Sequence, residues 1–224
     1  MRSKWVLLAV AVLTAWGGTA DAEVIFDNGA TQSIWGLASD GVFFLAADNF
    51  VLQEGANTIT DIHWWGFYSE NGNGDKVPIV DNFTVFIFAD NGGEPGAVPL
   101  YTLVDAVQSS DNGTVVAGAL TEYEYVMDIN PLELTPGTTY WLAIANNVST
   151  PVKGQLVQSL WNWSFSNAVG GDAHAKAPQV WVDANVELAF QLTNDGVVPE
   201  PATVTLLGAG LVGIAVRRRF FRNR

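Results

Sequence analysis

Short runs of apolar and aromatic residues alternate along this chain with clusters rich in Asp, Asn and Gly. The runs fall at Val24 to Phe26, Phe50 to Leu52, Thr58 to Tyr68, Phe83 to Ala89, Tyr101 to Val107, Tyr123 to Met127, Thr138 to Ala145, Trp161 to Phe165, Val180 to Val182 and Val186 to Leu192. Short strands separated by turn signals are the pattern of an all-β sandwich or barrel. In Val186-Glu187-Leu188-Ala189-Phe190-Gln191-Leu192 the large apolar side chains take alternate positions, which predicts a strand with one buried face. Glu122 to Asp128 alternates in the same way, whereas Phe83 to Ala89 is apolar on both sides and predicts a central strand covered on both faces. Turns are predicted at Asp27-Asn28-Gly29, Asn71 to Asp75, Asp90 to Gly96, Asp111-Asn112-Gly113 and Thr135-Pro136-Gly137, because Asn and Gly accept the conformations of tight hairpins. The predicted fold is a single all-β sandwich domain, jelly-roll-like, with an immunoglobulin-like topology as the alternative.

Both ends break this pattern. Arg2 and Lys4 precede an apolar run from Val6 to Trp16 and the small-residue site Ala20-Asp21-Ala22. A basic start, a short apolar core and an A-x-A ending predict a secretory signal peptide over 1–22, cleaved after Ala22. At the other end, Val198-Pro199-Glu200-Pro201 precedes an uncharged stretch over about 202–216 and the basic cluster Arg217-Arg218-Arg219. A helix of that length rises ~22 Å, somewhat short of a ~30 Å hydrocarbon core, so thinning or snorkelling arginines would complete a transmembrane span. The positive-inside bias keeps the arginines cytoplasmic and the preceding chain outside. The domain organisation is therefore signal peptide 1–22, β-sandwich domain 23–196, and a C-terminal segment 197–224 with its motif at 198–201 and basic tail at 217–224.

This ending resembles the PEP-CTERM sorting signal of Gram-negative bacteria, through Val198, Pro199, Glu200 and Pro201, then Leu206-Leu207 and Gly210-Leu211, then Arg217, Arg218 and Arg219. The resemblance implies that the chain is a substrate of exosortase, a membrane protease-transpeptidase that recognises the motif and processes the chain near it. It also implies transient residence in the inner membrane and a final place at the cell surface or in an exopolysaccharide matrix. Prolines favour an extended backbone with no internal hydrogen bonds to undo, which suits a protease substrate, and Glu200 reads as a recognition group. A plain single-span anchor is the alternative. The stretch from Asp48 through Trp163 is similar, more loosely, to β-rich domains found ahead of such signals, and this likeness brings no catalytic residues.

Charge sharpens the division. The whole chain carries a formal −13, yet residues 23 to 198 hold 21 acids, 3 lysines and no arginine, a net −18. Such a domain has no basic surface with which to release counterions from phosphates, which excludes a nucleic-acid partner. The absence of cysteine excludes disulfides and thiolate metal sites.

Candidate chemistry is sparse. The histidines, His63 and His174, each follow an aspartate by two, in Asp61-Ile62-His63 and Asp172-Ala173-His174, so on a strand each pair shares a face. Two such side chains are short of the three ligands a catalytic zinc needs, and no G-x-S-x-G elbow is present. No catalytic residue or metal ligand is assigned. Calcium suits a domain rich in Asp and Asn, although Asn71-Gly72-Asn73-Gly74-Asp75-Lys76 departs from an EF-hand loop at Lys76. Tryptophan offers the other candidate: Trp161 and Trp163 share a face, one of Trp64 and Trp65 faces outward, and an outward aromatic pair would stack on sugar rings. The expected function is a non-enzymatic exported surface or matrix protein without a cofactor, structural calcium aside. A secreted carbohydrate-binding module is the alternative, and a secreted hydrolase ranks last.

Overall fold

A computed structural model describes residues 22–41, 44–69, 81–147, 160–176 and 180–195, among which there are thirteen strands and no helix. In chain order these are β1 (Glu23–Asp27), β2 (Thr31–Ala38), β3 (Leu45–Val51), β4 (Thr58–Tyr68), β5 (Phe83–Ala89), β6 (Tyr101–Leu103), β7 (Val107–Val116), β8 (Leu120–Glu133), β9 (Thr139–Asn146), β10 (Trp161–Ser166), β11 (His174–Lys176), β12 (Trp181–Asp183) and β13 (Phe190–Asn194). The span Ala22–Asp195 forms one compact unit. The signal peptide through Asp21, the Asn71 to Lys76 loop and the whole sorting segment lie outside the described residues.

Two antiparallel sheets build the domain. The first is centred on β4, which pairs with β8 on one side; on the other side its Asp61–Trp64 stretch pairs with β13 and its Gly66–Tyr68 stretch with β10. β13 is extended by β1, β10 by β2, and β8 by β7. The second sheet runs β12-β11-β3-β9-β5-β6. From β3 onward the chain crosses repeatedly between the sheets, so apart from the consecutive pairs β5–β6, β7–β8 and β11–β12 neighbours in a sheet are distant in sequence.

The alternating residues recognised in the sequence meet between the sheets. Trp64, Tyr125, Trp161, Phe190 and Leu192 come from the first sheet; Phe50, Phe83, Val85, Leu142 and Ile144 come from the second; all are buried. Ring contacts tie the layers together, with Phe83 5.3 Å from Trp64 and 5.0 Å from Trp161, both edge to face. Such pairs add to the area that each ring removes from water. Two glycines let the first sheet pack this tightly. A Cβ on Gly66 would lie 2.5 Å from the Trp161 ring, and one on Gly36 would lie 2.4 Å from the Trp163 carbonyl oxygen. Strand β5 is covered on both sides as its composition predicts. Phe83, Val85 and Ile87 enter the central core, while Phe86 and Phe88 join Ala47, Trp141 and Ala143 on the opposite face. Trp181 of β12 covers that cluster, its ring edge-on to Phe88 at 5.9 Å.

Several local expectations need correction. Asp111-Asn112-Gly113 is no hairpin turn but part of β7, where the register with β8 slips between Asp111 and Val115. The turn follows at Ala117 and Gly118, both at positive φ. Strands β2, β7 and β11 lie outside the predicted strand runs; β2 and β7 are sheet edges lacking a clean alternation, and β11 is only three residues long. In the run from Val186 to Leu192, regular pairing begins only at Phe190, and Glu187 is buried where alternation would expose it.

Candidate functional site

The inner face of β3 carries an unexpected polar residue. Asp48 sits between Ala46 and Phe50 on the core side, opposite Leu142 of β9, and is fully buried. A carboxyl group in such a place needs partners, because an unsatisfied buried polar group costs ~1–3 kcal/mol or more. Most of them arrive from segments flanking the first sheet. The side-chain amide of Asn28, just past β1, donates to Asp48 Oδ2 at 2.9 Å, to Glu187 Oε2 at 3.1 Å and to the Leu188 carbonyl at 2.9 Å. The Leu188 N–H donates to Asp48 Oδ2 at 2.6 Å, and the Asn49 N–H donates to Asp48 Oδ1 at 2.8 Å. Glu187 is held in turn by the backbone N–H groups of Gly171 at 2.6 Å and Asp172 at 3.3 Å. Gly170 leaves room for it, since a Cβ there would lie 2.1 Å from Glu187 Oε1 and push that carboxyl group aside.

Electrostatics follow from this placement. Burial pushes the Asp48 carboxyl up to about 8; the Leu188 N–H opposes the rise and the nearby Glu187 carboxyl adds to it. The cluster borders a surface groove of about 300 Å³ whose lining includes Gln32, Phe165, Ser166, Asn185, Val186 and Glu187. Ser166 Oγ donates to the Asn28 carbonyl, and Gln32 Nε2 donates to the Ser166 carbonyl at 2.6 Å, so the groove wall is continuous with the buried cluster.

A second buried carboxyl group lies on the outer face of the first sheet. Glu122 of β8 accepts hydrogen bonds from Ser164 Oγ of β10 at 2.6 Å, Asn112 Nδ2 of β7 at 2.9 Å and Thr31 Oγ1 of β2 at 3.1 Å. Alternation alone would place it in solvent, yet it is fully buried. Further along the same face, His63 Nδ1 lies 3.8 Å from Glu124 Oε1. Asp61 accepts from Thr60 Oγ1 at 2.7 Å and Thr193 Oγ1 at 3.1 Å, and its hydrogen bond to Asp128 holds the Asp128 carboxyl above the usual range.

The residues picked out in the sequence fare unevenly. Trp64, Trp161 and Trp163 are at most 1% exposed, which corrects the expectation that they stack on sugars: their faces are spent inside the core. Trp163 Nε1 donates to the Ala189 carbonyl at 2.8 Å, while Trp64 Nε1 is buried with no hydrogen-bond partner among the described residues. Trp65 is half-buried on the outer face opposite Glu124. His63 and His174 belong to different sheets; His174 Nδ1 bonds the Asp172 carbonyl at 2.8 Å and its ring stands edge-on to Trp141. Among the described residues no three His, Asp or Glu side chains gather into a group able to hold a metal ion. Ala22 is exposed; Ala20, Val198 to Pro201 and Arg217 to Arg219 lie outside the described residues. Sequence reading missed Asn28, Asp48, Glu122 and Glu187, although an aspartate inside the apolar run from Leu45 to Leu52 was a usable signal for one of them.

Comparison with known proteins adds two matches. Residues 197–219 match the PEP-CTERM protein-sorting motif, so the chain carries the C-terminal exosortase sorting signal and is an exported protein handed to that enzyme. No curated protein and no solved structure matches the chain. The second match starts at the last residue of β1, takes in every later strand and ends at residue 206. Spanning residues 27–206, it shows that this chain belongs to the family described as Domain of unknown function (DUF7901).

Proposed function

We propose that the protein is a non-enzymatic β-sandwich that exosortase releases from a transient inner-membrane anchor to the cell surface or extracellular matrix. The sorting motif over 197–219 carries this reading. A cargo role is also in keeping with the partners of the two histidines, a surface glutamate for His63 and a backbone carbonyl for His174. Intact-mass analysis of the exported protein from strains with and without exosortase tests it. The expected result is loss of the C-terminal arginine tail only where the enzyme is present; the same full-length tail in both strains overturns the proposal.

Binding to exopolysaccharide is a second reading, favoured by one observation: Trp35 on the edge strand β2 is 62% exposed, unusual for a ring of that size. If the protein binds sugar there, Trp35→Ala weakens retention on an exopolysaccharide column about five- to thirtyfold, matching the ~1–2 kcal/mol of a stacked ring. Retention equal in wild type and variant sinks this reading and leaves the sorting proposal untouched.

A further inference from the structure

The cluster of Asn28, Asp48 and Glu187 joins buried polar side chains from the two sheets. Asp48 reaches across from β3 of the second sheet; Asn28 and Glu187 flank β1 and β13 of the first. We propose that this cluster is a proton-dependent latch: one proton retained between the Asp48 and Glu187 carboxyl groups keeps the sheets fastened at the groove, and loss of that proton loosens them there.

The geometry favours such a proton. Asp48 is fully buried and Glu187 is 8% exposed, and both bond the same Asn28 nitrogen. Two carboxylates this close, out of water, repel strongly unless one stays protonated or a cation lies between them. No cationic side chain of the described residues faces them. Among the described residues Lys176 is the one lysine or arginine, and its ammonium group lies 5.3 Å over the Trp181 ring, in the cluster on the other face of the second sheet. The further acid beside the pair is Asp172, whose Oδ2 would lie 3.6 Å, and Glu187 Oε1 2.1 Å, from a Cβ placed on Gly170. Leu142 stands opposite Asp48 on β9, and Ala173 is the buried residue leading into β11. His174 pairs with Ala47 and turns its ring to Trp141, and Asp172 meets Glu187 through its backbone N–H alone among the observed bonds. Asn28 supplies donors without charge and so holds the pair together without neutralising it.

The direction of the pH effect follows. Burial raises the Asp48 carboxyl to about 8 in the folded protein, against an ordinary aspartate value near 4 in the unfolded chain. The folded state therefore binds a proton that the unfolded state has released. Stability from the latch is complete below the unfolded value, declines as pH rises through the interval, and levels off above about 8. Within that interval the folding constant falls by up to about tenfold for each pH unit.

The test is the thermal midpoint of the purified exported protein across pH 5 to 9, for wild type, Asp48→Asn and Glu187→Gln. Either variant keeps the shape of the pair and removes one ionisable group. The proposal expects the wild-type midpoint to fall by at least about 4 °C more than that of Asp48→Asn over this range, as a tenfold loss predicts for a domain of this size. Parallel curves overturn it. If the variants fail to fold, carbon-detected titration of wild-type carboxyl groups decides: a side chain at position 48 that titrates in the ordinary aspartate range overturns the latch, and one still protonated near neutral pH supports it. Millimolar calcium supplies a third arm. A wild-type slope that calcium abolishes and a chelator restores means that a cation, not a proton, joins the pair, and this outcome also overturns the proposal.

Discussion

Truncating Trp163 to alanine is expected to cost the domain about 3–5 kcal/mol, lowering its thermal midpoint by roughly 6–20 °C. The ring is fully buried, stands edge-on to Phe190 at 5.9 Å, and faces a strand neighbour, Gly66, that offers no side chain to refill the space. A cavity and an orphaned acceptor would form together, since Trp163 Nε1 satisfies the Ala189 carbonyl just ahead of β13. Urea unfolding followed by far-UV circular dichroism measures the loss without depending on tryptophan emission. Trp35→Ala is the matched control: at 62% exposure it should change stability by no more than ~0.5 kcal/mol. Equal midpoints for both variants and wild type would show that Trp163 is not the core residue described.

Removing Glu122 should be nearly as damaging. Its two carboxyl oxygens collect donors from β10, β7 and β2, so one side chain on β8 fastens four strands of the first sheet. In Glu122→Ala the Ser164 hydroxyl, itself buried, loses its acceptor, while Thr31 and Asn112 lose the contact that holds two edge strands. At ~1–3 kcal/mol for each buried group left unpaired, and with the outer two able to turn to water, a loss of about 2–4 kcal/mol is expected. Glu122→Gln, which keeps the shape and an acceptor, should lose less than half as much. Hydrogen exchange locates the damage: protection should fall in β7 and in β2, the latter about 90 residues from position 122. A loss confined to β8 would mean that the carboxyl group does not bind the edges together.

How much of this was legible in the sequence differs from element to element. The bounds of β4 and β5 coincide with their apolar runs because both strands are central and nearly every position contributes to packing. Strand β2 escaped because an edge strand with Gly36 and an exposed tryptophan shows neither alternation nor a continuous apolar run. Strand β7 escaped because Asp-Asn-Gly makes a bulge there, and a bulge and a turn draw on the same residues. For the tryptophans, spacing correctly placed Trp161 and Trp163 on one face, but period-two alternation cannot say which face meets the opposing sheet. The sorting motif was readable because it is contiguous. The Asn28–Asp48–Glu187 cluster was not: its members lie far apart in the chain, and each alone reads as a polar loop or surface residue.

The place of β13 bears on how the protein is delivered. This strand, which ends at Asn194, lies between β1 and β4, so the first sheet is closed by the final strand of the domain. The matched sorting segment begins at residue 197. A chain exported N-terminus first would therefore hold an incomplete sheet, with β4 paired to β8 but open on its other side along Asp61–Trp64, until almost all of the domain had crossed. Such non-local closure is slow compared with hairpin formation. Docking of β13 and capture by the sorting enzyme then become neighbouring events in time. A tail cut before β13 had docked would release an open sheet edge, so the interval between the last strand and the motif sets a race between zippering and cleavage.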